Sequence, residues 1–276
     1  MKPAPFPRER RHTLYFLEEN RAFAPVFLDT EVDMGQVRRH RSDAAADGRR
    51  YSVVSYVLRA AAPVMAAHPQ ANGAIGGGLF PRTVTSGTAS AKLVMDRRLG
   101  GRRVVLAAVL PDLGRADLDG IQRQVDHYRD GDPQVMPEFD GLRKLHRLPV
   151  PLGRALFRRA TRPLAKRVTR TGTFAVSSLG HGAVDGFHSV GGTTVTLGVG
   201  RILDRPVVRN GEVTVAPVMR LNLAFDHRVV DGAEAADILG EIKDRLENFP
   251  GETGGRAEDS SGQARDRLET PLGEGR

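Results

Sequence analysis

Residues 221–239 read LNLAFDHRVVDGAEAADIL, and the fold turns on them. Leu221, Leu223 and Phe225 give a strand that ends in Asp226-His227-Arg228, and Asp231-Gly232 then opens a helix. In that helix Ala236, Leu239, Ile242 and Leu246 share one side between Ala233 and Leu246. One histidine therefore stands at a strand end, between charged neighbours, where a side chain is held rigidly yet exposed. Imidazole titrates near neutrality and is the usual general base for a thiol, hydroxyl or amine. Taken alone, a histidine between charges is more often structural.

Working outward, strands are expected at Val218–Phe225, at Thr193–Val199 and at Thr173–Leu179. Asn210-Gly211 between the apolar runs of Pro206–Val215 signals a two-residue hairpin. Pro25–Met34 alternates Val26, Leu28, Thr30, Val32 and Met34, the pattern of a strand with one buried face. Further strands are expected at Ser90–Met95 and Arg103–Leu110, separated by Gly100-Gly101. Helices are expected at Arg10–Glu19, at Val53–Ala67 with a bend or early stop at Pro63, and after a cap at Asp117. Arg38–Arg50 is expected as a loop or short helix. Strands and helices mix without strict alternation, so the expected fold is α/β, a mixed sheet flanked by helices.

Composition excludes several classes. The chain has 276 residues, 40% of them hydrophobic and 27% charged, enough for a real core. It has no Cys, hence no disulfide, thiol nucleophile or Cys-ligated metal. No His pair has metal-ligand spacing on a helix, so no metal is expected. No apolar run approaches the ~18–20 residues of a membrane span, and no signal peptide is visible, so the expected location is cytoplasmic. Trp is absent and aromatics are 5%, poor material for base stacking, and no nucleic-acid-binding signature is present. Gly198-Val199-Gly200 is too short for a dinucleotide fingerprint. Ser177, His227 and Asp231 could suggest a hydrolase, but no GxSxG elbow carries the serine.

The stretch around His227 resembles the acyltransferase catalytic domain of the 2-oxoacid dehydrogenase complexes, whose fold is that of chloramphenicol acetyltransferase. The family signature DHRxxDG is complete in residues 226–232. Residues 173–180, TFAVSSLG, look like the family's TFxxSxLG strand, and residues 193–220 look like its strand, hairpin and strand. The resemblance runs from about residue 10 to 250, weakly in the first half. It implies that His227 is the general base, that the Ser177 hydroxyl stabilises the tetrahedral oxyanion, that Asp231 orients the site, and that Asp226 and Arg228 are supporting charges. It implies a coenzyme A thioester as acyl donor and a homotrimer whose site lies between subunits, His and Ser coming from different chains. The family's lipoyl and subunit-binding domains are not seen, and Phe249-Pro250 runs into a polar stretch where an anchor would join trimers. The expectation is a stand-alone, free trimer that acylates a small hydroxyl or thiol. The alternatives are a dihydrolipoyl acyltransferase core with its lipoyl domain on another chain, and a non-catalytic binding protein on the same scaffold.

The charge is uneven. Lys plus Arg is 41 against 33 for Asp plus Glu, a net of +8. Arg143 to Arg170 holds ten of those cations and no acid, which leaves the rest of the chain slightly negative. This stretch lies in a basic insertion at about 132–170. Leu152, Leu156, Ala160, Leu164 and Val168 predict one apolar helical stripe in it, limited by Pro149, Pro151 and Pro163. It is either a solvated face or a dock for CoA phosphates, an acidic carrier protein or a membrane surface. Residues 1–9 are expected as a flexible arm, 10–250 as the catalytic domain and 251–276 as a disordered tail.

Overall fold

A computed structural model describes residues 3–77 and 79–249; the tail expectation for 251–276 lies outside the described residues. The order is α1 (Arg11–Glu19), β1 (Pro25–Asp33), α2 (Gly35–Ala46), α3 (Val53–Ala67), β2 (Ala74–Gly76), β3 (Arg82–Val84), β4 (Ala91–Leu99) and β5 (Arg102–Leu110). Then come α4 (Leu118–Asp130), α5 (Asp140–Arg147), α6 (Val150–Thr161), α7 (Leu164–Thr171), β6 (Phe174–Ser178), β7 (Val195–Arg209), β8 (Glu212–Asp226) and α8 (Gly232–Glu247). The main sheet has the order β1-β8-β7-β6-β4-β5, and β2 and β3 form a separate ribbon. β6 runs parallel to β4 and to β7, while the remaining neighbours are antiparallel, so the sheet is mixed as expected.

Several boundaries move. The two strands expected on either side of residue 200 are one 15-residue strand, β7, carried across a register shift between Val199 and Ile202. Its hairpin with β8 turns at Asn210 (φ 53°) and Gly211 (φ 83°), both left-handed, as the Asn-Gly pair demands. Gly198 and Gly200 leave no room for a Cβ because the carbonyls of Phe187 and Asp185 lie against them. That close approach is the reason for these glycines. Pro63 does not stop α3, which runs on to Ala67, and the polar stretch after Gly35 is a full helix, α2. α3 starts on Ser52, whose hydroxyl accepts from Ser55 N at 3.1 Å. Asp117 caps α4 by accepting from Gly120 N at 2.7 Å, as expected.

The core lies where α3, α4 and α8 cover one side of the sheet. Leu58, Val64, Ile121, Ile238 and Ile242 there meet Leu197, Leu221 and Phe225 of the strands, all fully buried. Each such side chain withdraws apolar surface worth about 1.5–3 kcal/mol. α1, α6 and α7 cross the other side over β4 and β5 and leave a cavity of about 1220 Å³ beneath them. Among the described residues no helix is long and apolar enough to cross a membrane.

The apolar stripe expected between Leu152 and Val168 is not what holds the basic segment down. Leu152 and Leu156 are exposed, 55% and 47%, because the helix breaks at Pro163 into α6 and α7 and α6 turns a different face inward. Gly153 takes that place: a Cβ there would strike the Tyr15 ring of α1, whose hydroxyl donates to Val150 O at 3.2 Å. Arginines complete the contact. Arg154 pairs with Glu18 at 2.7 Å, and Arg158 and Arg162 both pair with Glu19, at 2.5 and 2.8 Å.

Candidate active site

The sheet ends at Asp226, and the turn after it positions His227. Asp226 N donates to Thr194 O at 3.0 Å and His227 N to Ala24 O at 2.9 Å, so the backbone on both sides of the histidine is anchored to neighbouring chain. Val229 N and Val230 N both donate to Asp226 O, closing a tight turn into α8. The ring is half exposed and packs edge-on against Phe225, with centroids 5.6 Å apart.

The hydrogen bond from the ring fixes its tautomer. His227 Nδ1 lies 3.1 Å from Val230 O. A carbonyl only accepts, so in the neutral ring Nδ1 carries the proton and Nε2 has the free lone pair. A neutral imidazole with an outward lone pair is a base ready to accept a proton. Asp231 Oδ1 is 3.6 Å from Nδ1, beyond hydrogen-bond reach, and its side chain is 90% exposed. The Val230 carbonyl, invisible to any motif, is the group that orients the ring.

Asp226 and Arg228 form a different kind of unit. The Asp226 carboxylate is buried and receives Arg228 Nε at 2.8 Å and Nη2 at 2.5 Å, with Arg228 N at 3.2 Å as well. This bidentate bond raises the Arg228 pKa further and holds the turn closed.

Ser177 is on β6, half-buried, between β4 and β7. It faces Val94 on one side and Gly198 on the other. Asp226 lies beside Thr194 on β7, which puts His227 level with Thr193, five residues from the level of Ser177. At ~3.3 Å per residue that is about 16 Å along the strands, and the two also lie two strands apart. One chain thus does not bring His227 and Ser177 to a common point.

Residues 156–251 match the family model of the 2-oxoacid dehydrogenases acyltransferase (catalytic domain). Over 54 residues the chain is 54% identical to the dihydrolipoyllysine-residue acetyltransferase component of the pyruvate dehydrogenase complex of Bacillus subtilis (strain 168), a match that covers 20% of this chain and 12% of that protein. The fold is similar to that of a probable dihydrolipoamide acetyltransferase from Listeria monocytogenes, with TM-score 0.68 at 19% identity, covering 92% of this chain and 98% of the other. It is also similar to the structure of the cubic core of the pyruvate dehydrogenase multienzyme complex, with TM-score 0.67 at 18% identity, covering 90% and 92%.

Proposed function

We propose that this chain, whose residues 156–251 belong to the acyltransferase catalytic family of the 2-oxoacid dehydrogenases, moves an acyl group between coenzyme A and a dihydrolipoyl thiol. The observation that carries the reading is the His227 tautomer set by Val230 O within a complete DHRxxDG turn. A dihydrolipoyl partner is favoured over a small hydroxyl because the Bacillus subtilis relative is named a dihydrolipoyllysine-residue acetyltransferase.

In this reading His227 Nε2 takes the proton of the attacking thiol. The sulfur forms a bond to the thioester carbonyl carbon, and the carbonyl oxygen becomes an oxyanion. The Ser177 hydroxyl donates to that oxyanion, an interaction often worth ~3 kcal/mol in the transition state. The intermediate collapses, the original C–S bond breaks, and the departing thiolate recovers the proton from the imidazolium. The Asp226–Arg228 pair holds the turn while the ring changes charge. Asp231, out of hydrogen-bond reach, acts on the imidazolium through its charge alone.

The five-residue offset between His227 and Ser177 supports a site shared by two copies, with a homotrimer as the assembly. Co-refolding His227→Ala with Ser177→Ala chains in equal amounts tests this. With a shared site, about a quarter of the interfaces regain both groups, and acyl transfer from acetyl-CoA to free dihydrolipoamide returns in proportion. If each chain holds its own site the mixture stays as inactive as its parents. If the wild type acylates small alcohols but never dihydrolipoamide, the acceptor is wrong.

A further inference from the structure

Neither His227 nor Ser177 lines the cavity under α1, α6 and α7, although Arg228, next to His227, and Val94, beside Ser177 on β4, form part of its wall. At about 1220 Å³ it is larger than the ~300–1,000 Å³ of an ordinary small-molecule site. Apolar side chains make up much of its wall, with Phe16 and Leu17 from α1, Val105 and Val109 from β5, Leu142 from α5 and Phe157 from α6.

The charges set into these walls do not balance. Arg162 is paired with Glu19, Arg228 with Asp226, and Glu138 with His127. That leaves Lys92, Arg167 and Arg170, none of which pairs with a carboxylate among the described residues. Lys92 Nζ donates to Gly191 O at 2.8 Å and sits 4.4 Å from the centre of the Phe16 ring. Arg167 donates to Ile75 O at 2.8 Å and to Gly192 O at 3.4 Å. Arg170 donates to Ala160 O at 2.8 Å. Carbonyls and a ring face satisfy some of the donors but supply no negative charge. Lys92 and Arg167 also repel each other. Burial first, and Arg167 second, push the Lys92 ammonium down to about 8. Burial and then Arg228 lower Arg167, and the carboxylates of Asp226 and Glu19, neither within ion-pair distance, offset this only in part. Holding two unpaired cations in an apolar wall is costly unless something anionic comes to them.

We infer that this cavity is a binding site for an amphipathic anion, its carboxylate or phosphate head seated between Lys92 and Arg167 and its apolar chain lying along Phe16, Leu17, Val105 and Phe157. Cations and apolar side chains line one and the same cavity, so a ligand with only one of the two characters would leave the other unanswered.

Calorimetry on the whole protein with dodecanoate, dodecyl phosphate and uncharged dodecanol tests this. At least one anion should bind about tenfold or more tighter than dodecanol, the expectation for a charge-assisted contact out of water. Lys92→Met should weaken the anion by about the same factor and leave dodecanol unchanged, and Arg167→Gln provides the same test if Lys92→Met fails to fold. A preference for dodecanoate points to a carboxylic acid, and a preference for dodecyl phosphate to a phosphorylated compound. Dodecanol binding as well as both anions, or both variants binding anions like the wild type, overturns the inference. His227→Ala should keep the binding unchanged while losing acyl transfer, so failure here and failure of the acyl-transfer reading are told apart.

Discussion

Arginine meets carboxylate in two regions of this molecule, with different consequences. At the His227 turn one arginine and one aspartate lie two residues apart, and the Asp226 side chain is 4% exposed. Along α6 and into the turn before α7 three arginines reach over to Glu18 and Glu19 of α1, and each is a third or more exposed. The first pair shapes a loop of a few residues around a reactive ring. The second set fastens a helical arm to the body and neutralises part of the charge that makes the segment look basic. Proximity in sequence made the first unit legible as a motif; the second joins residues about 140 apart, and no reading of residues 143–170 alone could find it.

The largest effect should separate the two regions by rate. His227→Ala is expected to lower acyl transfer by about 10²–10⁴-fold, the range for a lost general base. Arg158→Gln with Arg162→Gln, which removes two positive charges from the arm, should change it by less than about twofold. Steady-state kinetics with acetyl-CoA and dihydrolipoamide measures both. If the arm variant loses as much as the histidine variant, the arm belongs to the reaction and the contrast fails.

Stability should separate them next. Asp226→Ala leaves Arg228 against a site that has lost its acceptor, and removes the oxygen that Arg228 N and Ala24 N donate to. Half-exposed Arg228 still reaches water, so the expected loss is about 2–3 kcal/mol, below the usual cost for a fully buried pair. Urea unfolding measures it. A loss no greater than that of an arm pair would mean that burial does not distinguish the two regions.

The same contrast explains what could be read beforehand. Period-two and period-3.6 patterns located β1, β4, β5, β6, α1, α3, α4 and α8, because their buried faces are written in consecutive residues. The long β7 escaped because polar residues follow its register shift and resemble a break. His227, Asp226 and Arg228 were found through a local signature. The Val230 carbonyl was not, because a backbone acceptor has no letter of its own. Lys92 lies on an expected strand, but only the fold shows that its alternate face, shared with Val94, opens onto the cavity. The direction of α6 was missed because exposed leucines and a buried glycine invert the usual hydrophobic rule, and Tyr15 decides it from another element.

A pH experiment sharpens the comparison at the base of the arm, where α5 meets α1. Val105 O accepts from His12 Nε2 at 2.8 Å, so His12 Nδ1 is an acceptor and His146 Nε2 donates to it at 2.9 Å. Burial first, and then repulsion from His12, hold the His146 ring down to about 4. The folded protein therefore keeps it neutral where the unfolded chain, near 6.5, already binds a proton. Stability from this pair is complete above pH 6.5 and is lost as pH falls from 6.5 toward 4. With the ring only 7% exposed, solvent screening takes little from this, and the loss is about 2–3 kcal/mol. His146→Gln should flatten the slope of unfolding free energy across that window, and an unchanged slope would assign the acid sensitivity elsewhere.

The smallest effect lies at Glu19, where two arginines converge on one carboxylate. Its side chain is 12% exposed, while Arg158 and Arg162 are 43% and 66% exposed. Burial pushes the Glu19 carboxyl up, but hydrogen bonds from Arg162 and Arg158 outweigh it and the net direction is down. Solvent screens the arginines and they keep much of their hydration when the partner is lost, so Glu19→Gln should cost only about 1 kcal/mol. The amide can still accept one of the two hydrogen bonds, which bounds the loss from below near a few tenths. The substitution also frees two guanidinium groups, one of them Arg162 in the cavity wall, so anion affinity there should rise slightly as stability falls. A loss as large as that of Asp226→Ala, measured by the same urea unfolding, would mean that the arm is held as rigidly as the histidine turn. Opposite movement of stability and anion affinity would fix Glu19 as the counter-charge that separates the arm's structural arginines from the cations of the cavity.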